Sequence, residues 1–223
     1  MQRPKHASVS KPVKKQANQP TKSHGGPGEV RIISGQWKGR KLPVLNVEGL
    51  RPTTDRVKET LFNWLGQRLD GLICLDMFSG SGAIGFEALS RGAQRVTMIE
   101  LNKTAFAELK NNFSQFKDAA ELGDLDLIHA DAIAHSSQLL ESSVDITFVD
   151  PPFSNEELFL KALNEALRVT KKESHSAVYV EHPKTVFPEK LLTEIPKYGD
   201  LWVVGRTIRA GVANGTLLVP KKI

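Results

Sequence analysis

The stretch Asp76-Met77-Phe78-Ser79-Gly80-Ser81-Gly82-Ala83-Ile84-Gly85 decides the fold of this 223-residue chain. It begins at the end of an apolar run, LICLD at residues 72–76, and leads into a helical pattern at residues 83–90. A second apolar run, RVTMIE, follows at residues 95–100. A glycine-rich turn that joins a strand to a helix, with another strand behind it, is typical of a nucleotide-binding βαβ unit.

Apolar runs and helical patterns continue to alternate beyond this unit. Further apolar runs lie at residues 125–131, 144–150 and 177–182, and Asn102 is expected to cap the helix after the second run. Because parallel strands need a covering crossover, the alternation predicts a parallel sheet with helices on both faces. Residues 201–209 and 214–219 predict a closing antiparallel hairpin. We therefore expect an α/β domain over residues 70–223, with a mostly parallel seven-stranded sheet.

The N-terminal part of the chain is basic. Residues 1–29 hold six basic side chains and one acid, with almost no large apolar residue, so we expect them to be disordered. Residues 30–69, with eight basic and three acidic side chains, predict a small β-hairpin and a helix capped by Thr53 or Thr54. Basic segments at one end of a chain favour an anionic partner, nucleic acid before membrane. A merely solubilising tail explains residues 1–29 equally well.

Composition excludes several classes of protein. Apolar residues make up 40% of the chain and charged residues 25%, as in an ordinary globular protein. No apolar run approaches the roughly 18 residues of a membrane-spanning helix, and the N-terminus lacks a signal-peptide core. Cys74 is the only cysteine, and the histidines show no metal-ligand spacing. We therefore expect a cytoplasmic protein without disulfides or a metal centre.

The glycine loop and the acids at the strand ends suggest a nucleoside ligand. Three glycines formally match the dinucleotide fingerprint: Gly80, Gly82 and Gly85. Glu100 could accept hydrogen bonds from ribose hydroxyls, so a nicotinamide dehydrogenase is one alternative. Asp76 instead suits a cationic amino group, which favours S-adenosylmethionine. Asp131 could accept a hydrogen bond from an adenine amine or simply cap a helix.

The tetrapeptide Asp150-Pro151-Pro152-Phe153 follows the fourth core strand. Its prolines fix the backbone and leave carbonyls free, so Asp150 and a proline carbonyl can both accept from one exocyclic NH₂ group. The nitrogen lone pair is then turned toward an electrophilic methyl, while Phe153 stacks on the base. This pattern predicts methyl transfer to an exocyclic amine. The alternative is a proline-rich strand end followed by a core phenylalanine.

Together these motifs resemble the class I S-adenosylmethionine-dependent methyltransferases that modify exocyclic amines. Three further stretches resemble the RsmD type, the bacterial small-subunit ribosomal RNA guanine methyltransferases: RIISG at residues 31–35, GRKL at 39–42 and RPTTDRVKETLFNWL at 51–65. The resemblance implies a Rossmann-like fold and S-adenosylmethionine as cofactor. It also implies that the methyl acceptor is the 2-amino group of a guanine in small-subunit ribosomal RNA, free or in the assembled subunit.

With this resemblance, the site residues fall into three sets. Cofactor contacts are expected from Thr53, Asp76, Phe78, Gly80, Gly82, Gly85, Glu100, Leu101, Asp131 and Ala132. The transfer site is expected to consist of Asp150, Pro151, Pro152 and Phe153. RNA contacts are expected from Arg31, Trp37, Lys38, Arg40, Lys41, Arg51 and Arg56. Trp37 could stack on unpaired bases, or it could pack against the domain.

Two other functions remain open at this point. A DNA adenine or cytosine amino-methyltransferase could use the same tetrapeptide, although no DNA-recognition domain is evident in the sequence. A non-catalytic RNA-binding assembly factor could retain a methyltransferase fold, although the intact Asp150 argues against it. We expect a monomer that binds ribosomal RNA and no membrane.

Overall fold

The computed structural model describes residues 28–44, 53–116, 122–153, 155–211 and 213–222. The predictions for residues 1–27, almost the whole basic tail, lie outside the described residues, as does Arg51. Within the described ranges, no helix is long and apolar enough to span a membrane.

Nine strands and six helices are described. The strands are β1 (Gly28–Arg31), β2 (Lys41–Val44), β3 (Ile73–Asp76), β4 (Arg95–Glu100), β5 (Asp124–His129), β6 (Ile146–Val149), β7 (Ala177–Pro183), β8 (Trp202–Ala210) and β9 (Ala213–Pro220). The helices are α1 (Asp55–Trp64), α2 (Gly85–Ser90), α3 (Lys103–Ser114), α4 (Ala132–Ser136), α5 (Glu156–Val169) and α6 (Pro188–Thr193). A short 3₁₀ turn covers Gly199–Leu201.

Strands β3 to β9 form one seven-stranded sheet in the order β5-β4-β3-β6-β7-β9-β8. The first five of these strands in the chain, β3 to β7, pair in parallel, whereas β9 is antiparallel to both β7 and β8. The predicted α/β architecture, with a mostly parallel sheet and a closing antiparallel hairpin, is therefore confirmed. It is a Rossmann-like class I fold.

Two apolar layers cover the sheet, one on each face. All four residues of β6 are buried, and they alternate between the layers: Phe148 packs into the layer with α1, α2 and α3, whereas Val149 packs into the layer with α5 and α6. Because parallel strands such as β6 are buried on both faces, their sequences are continuous apolar runs and do not alternate between apolar and polar residues. Thr54, one of the two expected caps, takes the N-cap position of α1 but makes no side-chain capping bond. Asn102 caps α3 as predicted, accepting from two backbone N–H groups.

The predicted N-terminal hairpin is confirmed as an antiparallel pair, with Val30 of β1 opposite Leu42 of β2. It packs onto the main domain, because Val30 and Leu42 belong to the apolar layer that contains α1 and α2. Two hydrogen bonds to Ser90 hold the hairpin tip: Gln36 N donates to the Ser90 carbonyl at 2.8 Å, and Trp37 N donates to Ser90 Oγ at 2.9 Å. The hairpin is thus joined to the end of α2.

Candidate active site

The acids predicted to bind ligand lie along one edge of the sheet. Asp76 and Glu100 are the last residues of β3 and β4, and Asp150 directly follows β6. The strand order changes direction between β3 and β6, since β4 and β5 lie on one side and β7 lies on the other. Open α/β sheets bind their ligands outside the carboxyl ends of the strands at such a reversal. Asp76 ends one of the two strands that flank it, and Asp150 directly follows the other.

The Asp76 side chain holds the glycine loop from inside the protein. It is 4% exposed, and its Oδ2 accepts a hydrogen bond from Gly85 N at 3.1 Å. A Cβ at Gly85 would lie 2.7 Å from the Met98 side chain, and a Cβ at Gly82 would lie 2.4 Å from the Phe86 ring. At Gly82, whose φ is +84°, the backbone and the Phe86 ring both favour glycine whatever ligand the loop binds, whereas a side chain at Gly85 would displace the Met98 side chain.

Burial raises the pKa of the Asp76 carboxyl to about 7. Hydrogen bonds from Gly85 and Phe78 backbone N–H groups oppose this rise, whereas the negative charge of Glu100 adds to it. A cationic group beside Asp76 would favour the ionised carboxylate. A carboxyl with a strongly shifted pKa at a ligand-binding edge is a common feature of functional sites.

Glu100 connects the end of β4 to the glycine loop. Its Oε2 accepts from Gly80 N at 2.9 Å, and its Oε1 accepts from Asn102 N at 2.7 Å. Asp131 caps α4, with its Oδ1 accepting from Ala134 N at 2.9 Å. An ionised carboxylate has about four lone-pair sites, so both side chains retain the capacity to accept from a ligand. For Asp131, capping and ligand binding are therefore compatible.

Asp150 lies next to a buried acid on the neighbouring strand. The parallel register places Val149 of β6 opposite Val180 of β7. The next residue on each chain segment is an acid, so Asp150 lies opposite Glu181. Burial raises the pKa of Asp150 well above its usual range, and the charges of Glu181 and Asp76 raise it further. Glu181 was not predicted as a site residue from the sequence. A signal was available, because this acid directly follows the apolar residues AVYV at 177–180.

The remaining predicted ligand contacts differ in exposure. In the transfer tetrapeptide, Pro151 is buried, Pro152 is exposed and the Phe153 ring is 42% exposed. The alternative of a core phenylalanine is therefore wrong, and the ring is accessible for stacking. Among the expected cofactor contacts, Leu101 is 65% exposed. Thr53 and Phe78 are half-buried, and Ala132 is buried.

The expectation that Trp37 stacks on RNA bases is contradicted by the structure. Its indole is 2% exposed and stacks on the Phe116 ring, with centroids 4.1 Å apart. It also meets the edge of Phe86 at 6.2 Å. The alternative, a tryptophan packed against the domain, is correct. The two bonds to Ser90 turn the hairpin tip inward, and burying the indole removes a large apolar surface from water.

The basic residues around the hairpin lie at the surface. Arg31 forms an ion pair with Asp55 at 3.0 Å. Lys41 forms one with Glu29 at 2.8 Å. Arg40 lies over the Phe116 ring and donates to the Gln115 carbonyl at 3.3 Å. Two other predicted RNA contacts are exposed: Lys38 and Arg56. These cations remain candidates for RNA contact.

Glu87 is a second buried acid that the sequence analysis missed. It is fully buried and accepts from Ile33 N at 2.7 Å and from Ser34 N at 3.0 Å. Arg91 Nε donates to it at 2.8 Å, and Lys58 Nζ lies 3.9 Å away. Lys58, which the charge count assigned to the basic N-terminal segment, is therefore a buried ion-pair partner. Within the described residues, no group of three or more acids, histidines or cysteines is arranged to hold a metal ion.

Comparisons with known proteins agree with this geometry. A family model described as Conserved hypothetical protein 95 matches residues 30–200. Ribosomal RNA small subunit methyltransferase D of Haemophilus influenzae is 53% identical over 127 residues, which span 56% of this chain and 65% of that protein. The protein of the same name from Buchnera aphidicola subsp. Acyrthosiphon pisum is 34% identical over 182 residues, which span 76% of this chain and 92% of that protein.

A solved structure is also similar to this chain. The structure of yhhF from Escherichia coli, described as a candidate methyltransferase, has a TM-score of 0.68 and 36% sequence identity. The match covers 87% of this chain and 99% of that structure. The family model matches more than half of the chain, and its range includes the glycine loop, the Asp150 tetrapeptide and the other acids at the sheet edge, Asp76, Glu100, Asp131 and Glu181. The chain therefore belongs to the Conserved hypothetical protein 95 family, the family of the RsmD-type methyltransferases.

Proposed function

We propose that this protein transfers a methyl group from S-adenosylmethionine to the 2-amino group of a guanine in small-subunit (16S) ribosomal RNA. The observation that carries the proposal is the placement of three acids at the carboxyl edge of the sheet: Asp76 and Asp150 flank the reversal of strand order, and Glu100 ends the next strand, β4. Membership of the family supports it. Ribosomal RNA lies in the cytoplasm, where we expect the protein to act.

The residues at the edge fit the chemical groups of S-adenosylmethionine. Glu100 provides carboxylate oxygens for the two ribose hydroxyls. Asp131 provides an acceptor for the adenine amine, and Asp76 provides a buried carboxylate for the cationic amino group. When bound, S-adenosylmethionine supplies a methyl carbon that its positive sulfur activates for nucleophilic attack.

The chain's own residues orient the amine. Asp150 Oδ and a proline carbonyl accept both amine protons, so the nitrogen lone pair points out of the base plane. Phe153, with its partly exposed ring, stacks on the base. The carboxyl group of Asp150, whose pKa is raised, is suited to hold the proton that the amine loses after the new N–C bond has formed. The base must leave its stack to reach these groups.

A labelling experiment tests the proposal. The full chain is incubated with methyl-labelled S-adenosylmethionine and either unmodified small subunits, naked ribosomal RNA or duplex DNA, and the nucleosides are then separated. We expect label in N2-methylguanosine from the subunits or the RNA, and none from an Asp150→Ala control. Label in methylated adenine or cytosine of DNA would support the DNA enzyme instead. Absence of incorporation from every substrate would support the non-catalytic assembly factor.

A further inference from the structure

We propose that Glu181 selects guanine as the target base by accepting a hydrogen bond from its ring N1–H. This inference rests on the proposed function, because it assigns a second contact to the base whose amine Asp150 binds. It adds a specificity-determining residue on β7 to a transfer site whose other residues directly follow β6.

Asp150 and Glu181 lie on the same face of the sheet. Phe148 of β6 and Tyr179 of β7 lie in the same apolar layer, on the sheet face that α1 covers. Side chains two residues apart on a strand point to the same face, so Asp150 and Glu181 continue this face at the sheet edge. Neighbouring strands lie about 4.8 Å apart, so side chains at the same level on β6 and β7 can bring their carboxyl groups close to each other. The two carboxyl groups can therefore face one ligand together.

The Glu181 side chain is held in place. It is 8% exposed, and its Oε1 accepts a hydrogen bond from the Tyr179 hydroxyl at 3.1 Å. Gly215 of β9 lies opposite Glu181, and a Cβ at this glycine would lie 2.2 Å from the Tyr179 hydroxyl. The absence of a side chain at Gly215 thus makes room for the hydroxyl that positions the carboxylate.

The bases differ in the hydrogen-bonding groups that they present beside the amine. On its Watson–Crick edge, guanine carries two donors side by side, the 2-amino group and N1–H. Adenine and cytosine carry an amine beside a ring nitrogen that has a lone pair instead of a proton. A carboxylate only accepts hydrogen bonds, so Glu181 would attract guanine N1–H and repel the other two bases. A site built to accept a hydrogen bond from a ring N–H strongly rejects a base that lacks this donor.

The test replaces the target guanine by 2-aminopurine in a reconstituted RNA substrate. This base keeps the 2-amino group that receives the methyl, but its N1 has no proton. Single-turnover rates on the two substrates give a preference ratio. We expect the wild-type protein to prefer guanine by about 100-fold or more, and Glu181→Gln to lower that ratio by roughly 10-fold to 100-fold, because its amide can donate to an unprotonated N1.

The ratio is informative because it separates selection from general damage. Substitution of Glu181 also changes the charge beside Asp150, but this effect slows both substrates and cancels in the ratio. Glu157→Gln, on an exposed ion pair of α5, is the control and should leave the ratio unchanged. Tyr179→Phe gives a second test that keeps the aromatic ring in the core, and it should lower the ratio by a smaller factor.

The outcomes distinguish this inference from the proposed function. If the wild-type protein methylates neither substrate, the proposed function is wrong. If it methylates guanine but Glu181→Gln and Tyr179→Phe both keep the wild-type ratio, Glu181 does not select the base. Equal wild-type rates on guanine and 2-aminopurine would also overturn the assignment.

Discussion

Replacement of Glu87 by alanine should strongly destabilise this protein, because Glu87 joins the N-terminal hairpin to the main domain. Its carboxylate accepts from two hairpin N–H groups, those of Ile33 and Ser34, and forms ion pairs with Arg91 and Lys58. The side chains of Glu87 and Lys58 are both 0% exposed, and that of Arg91 is 5% exposed. Removal of Glu87 would therefore leave two buried cations and two partly buried N–H groups without this acceptor.

The expected size follows from this burial. Breaking a buried ion pair by removing one partner costs about 3 to 5 kcal/mol, because the remaining charge stays buried. Loss of the two N–H hydrogen bonds also lowers the free energy of unfolding. Their contributions do not simply add to that of the ion pair, because all of these contacts share the Glu87 carboxylate. For a chain of this size, the loss corresponds to a melting temperature lowered by roughly 6 to 20 °C. Glu87→Gln keeps an acceptor oxygen but adds an NH₂ group, so its effect should be smaller.

Urea denaturation measures the change in the free energy of unfolding, and hydrogen exchange of the Ile33 and Ser34 amides shows whether the hairpin opens first. Glu157→Ala is the matched control, because Glu157 pairs with Lys161 on the exposed face of α5. That substitution should barely change the free energy of unfolding. If Glu87→Ala changed it no more than the control does, the buried network would not hold the hairpin, and this reasoning would be refuted.

The other predictions concern the ligands. Glu100→Ala should weaken S-adenosylmethionine binding by about 1.5 to 3 kcal/mol in calorimetry, because the ribose loses a charged acceptor; an unchanged dissociation constant would contradict the proposed orientation. The Asp150→Ala variant should bind S-adenosylmethionine normally but transfer the methyl group on the order of 10²-fold to 10³-fold more slowly in single-turnover assays, by analogy with loss of one positioned hydrogen-bonding group. Asp150→Asn should be less impaired, and full activity of Asp150→Ala would show that Asp150 does not belong to the transfer site. Only ionised Asp76 attracts the cationic amino group, and the pKa of Asp76 is about 7, so the affinity for S-adenosylmethionine should rise as the pH rises through about 7. Asp76→Asn should remove this pH dependence, and a wild-type affinity independent of pH would contradict the contact. Deletion of residues 1–27 should make the slope of log affinity for RNA against log salt concentration shallower by roughly 0.7 to 0.9 for each lost phosphate contact, without changing cofactor affinity. An unchanged slope would favour the interpretation of these residues as a solubilising tail.

The order of strands and helices was predictable from sequence because burial leaves a local pattern. A strand covered on both faces, such as β6, must be apolar along its whole length, and the prediction needed only neighbouring residues. The acids Asp76, Glu100 and Asp150 were found in the same way, because each stands where an apolar run ends. The carboxyl ends of parallel strands meet at one edge, so their positions in the chain already implied proximity.

The features that the sequence analysis missed or left open depend on contacts between distant parts of the chain. Trp37 is held by Ser90, 53 residues away, and nothing in the hairpin sequence indicates that its tip turns inward. Glu87 meets Ile33 across 54 residues, so the burial of its charge is visible only when α2 and the hairpin are packed together. Glu181 stands at the level of Asp150 only because β7 pairs with β6 in that register. Hydrophobic periodicity reports which face of an element is buried, but only tertiary packing decides which polar side chains meet there.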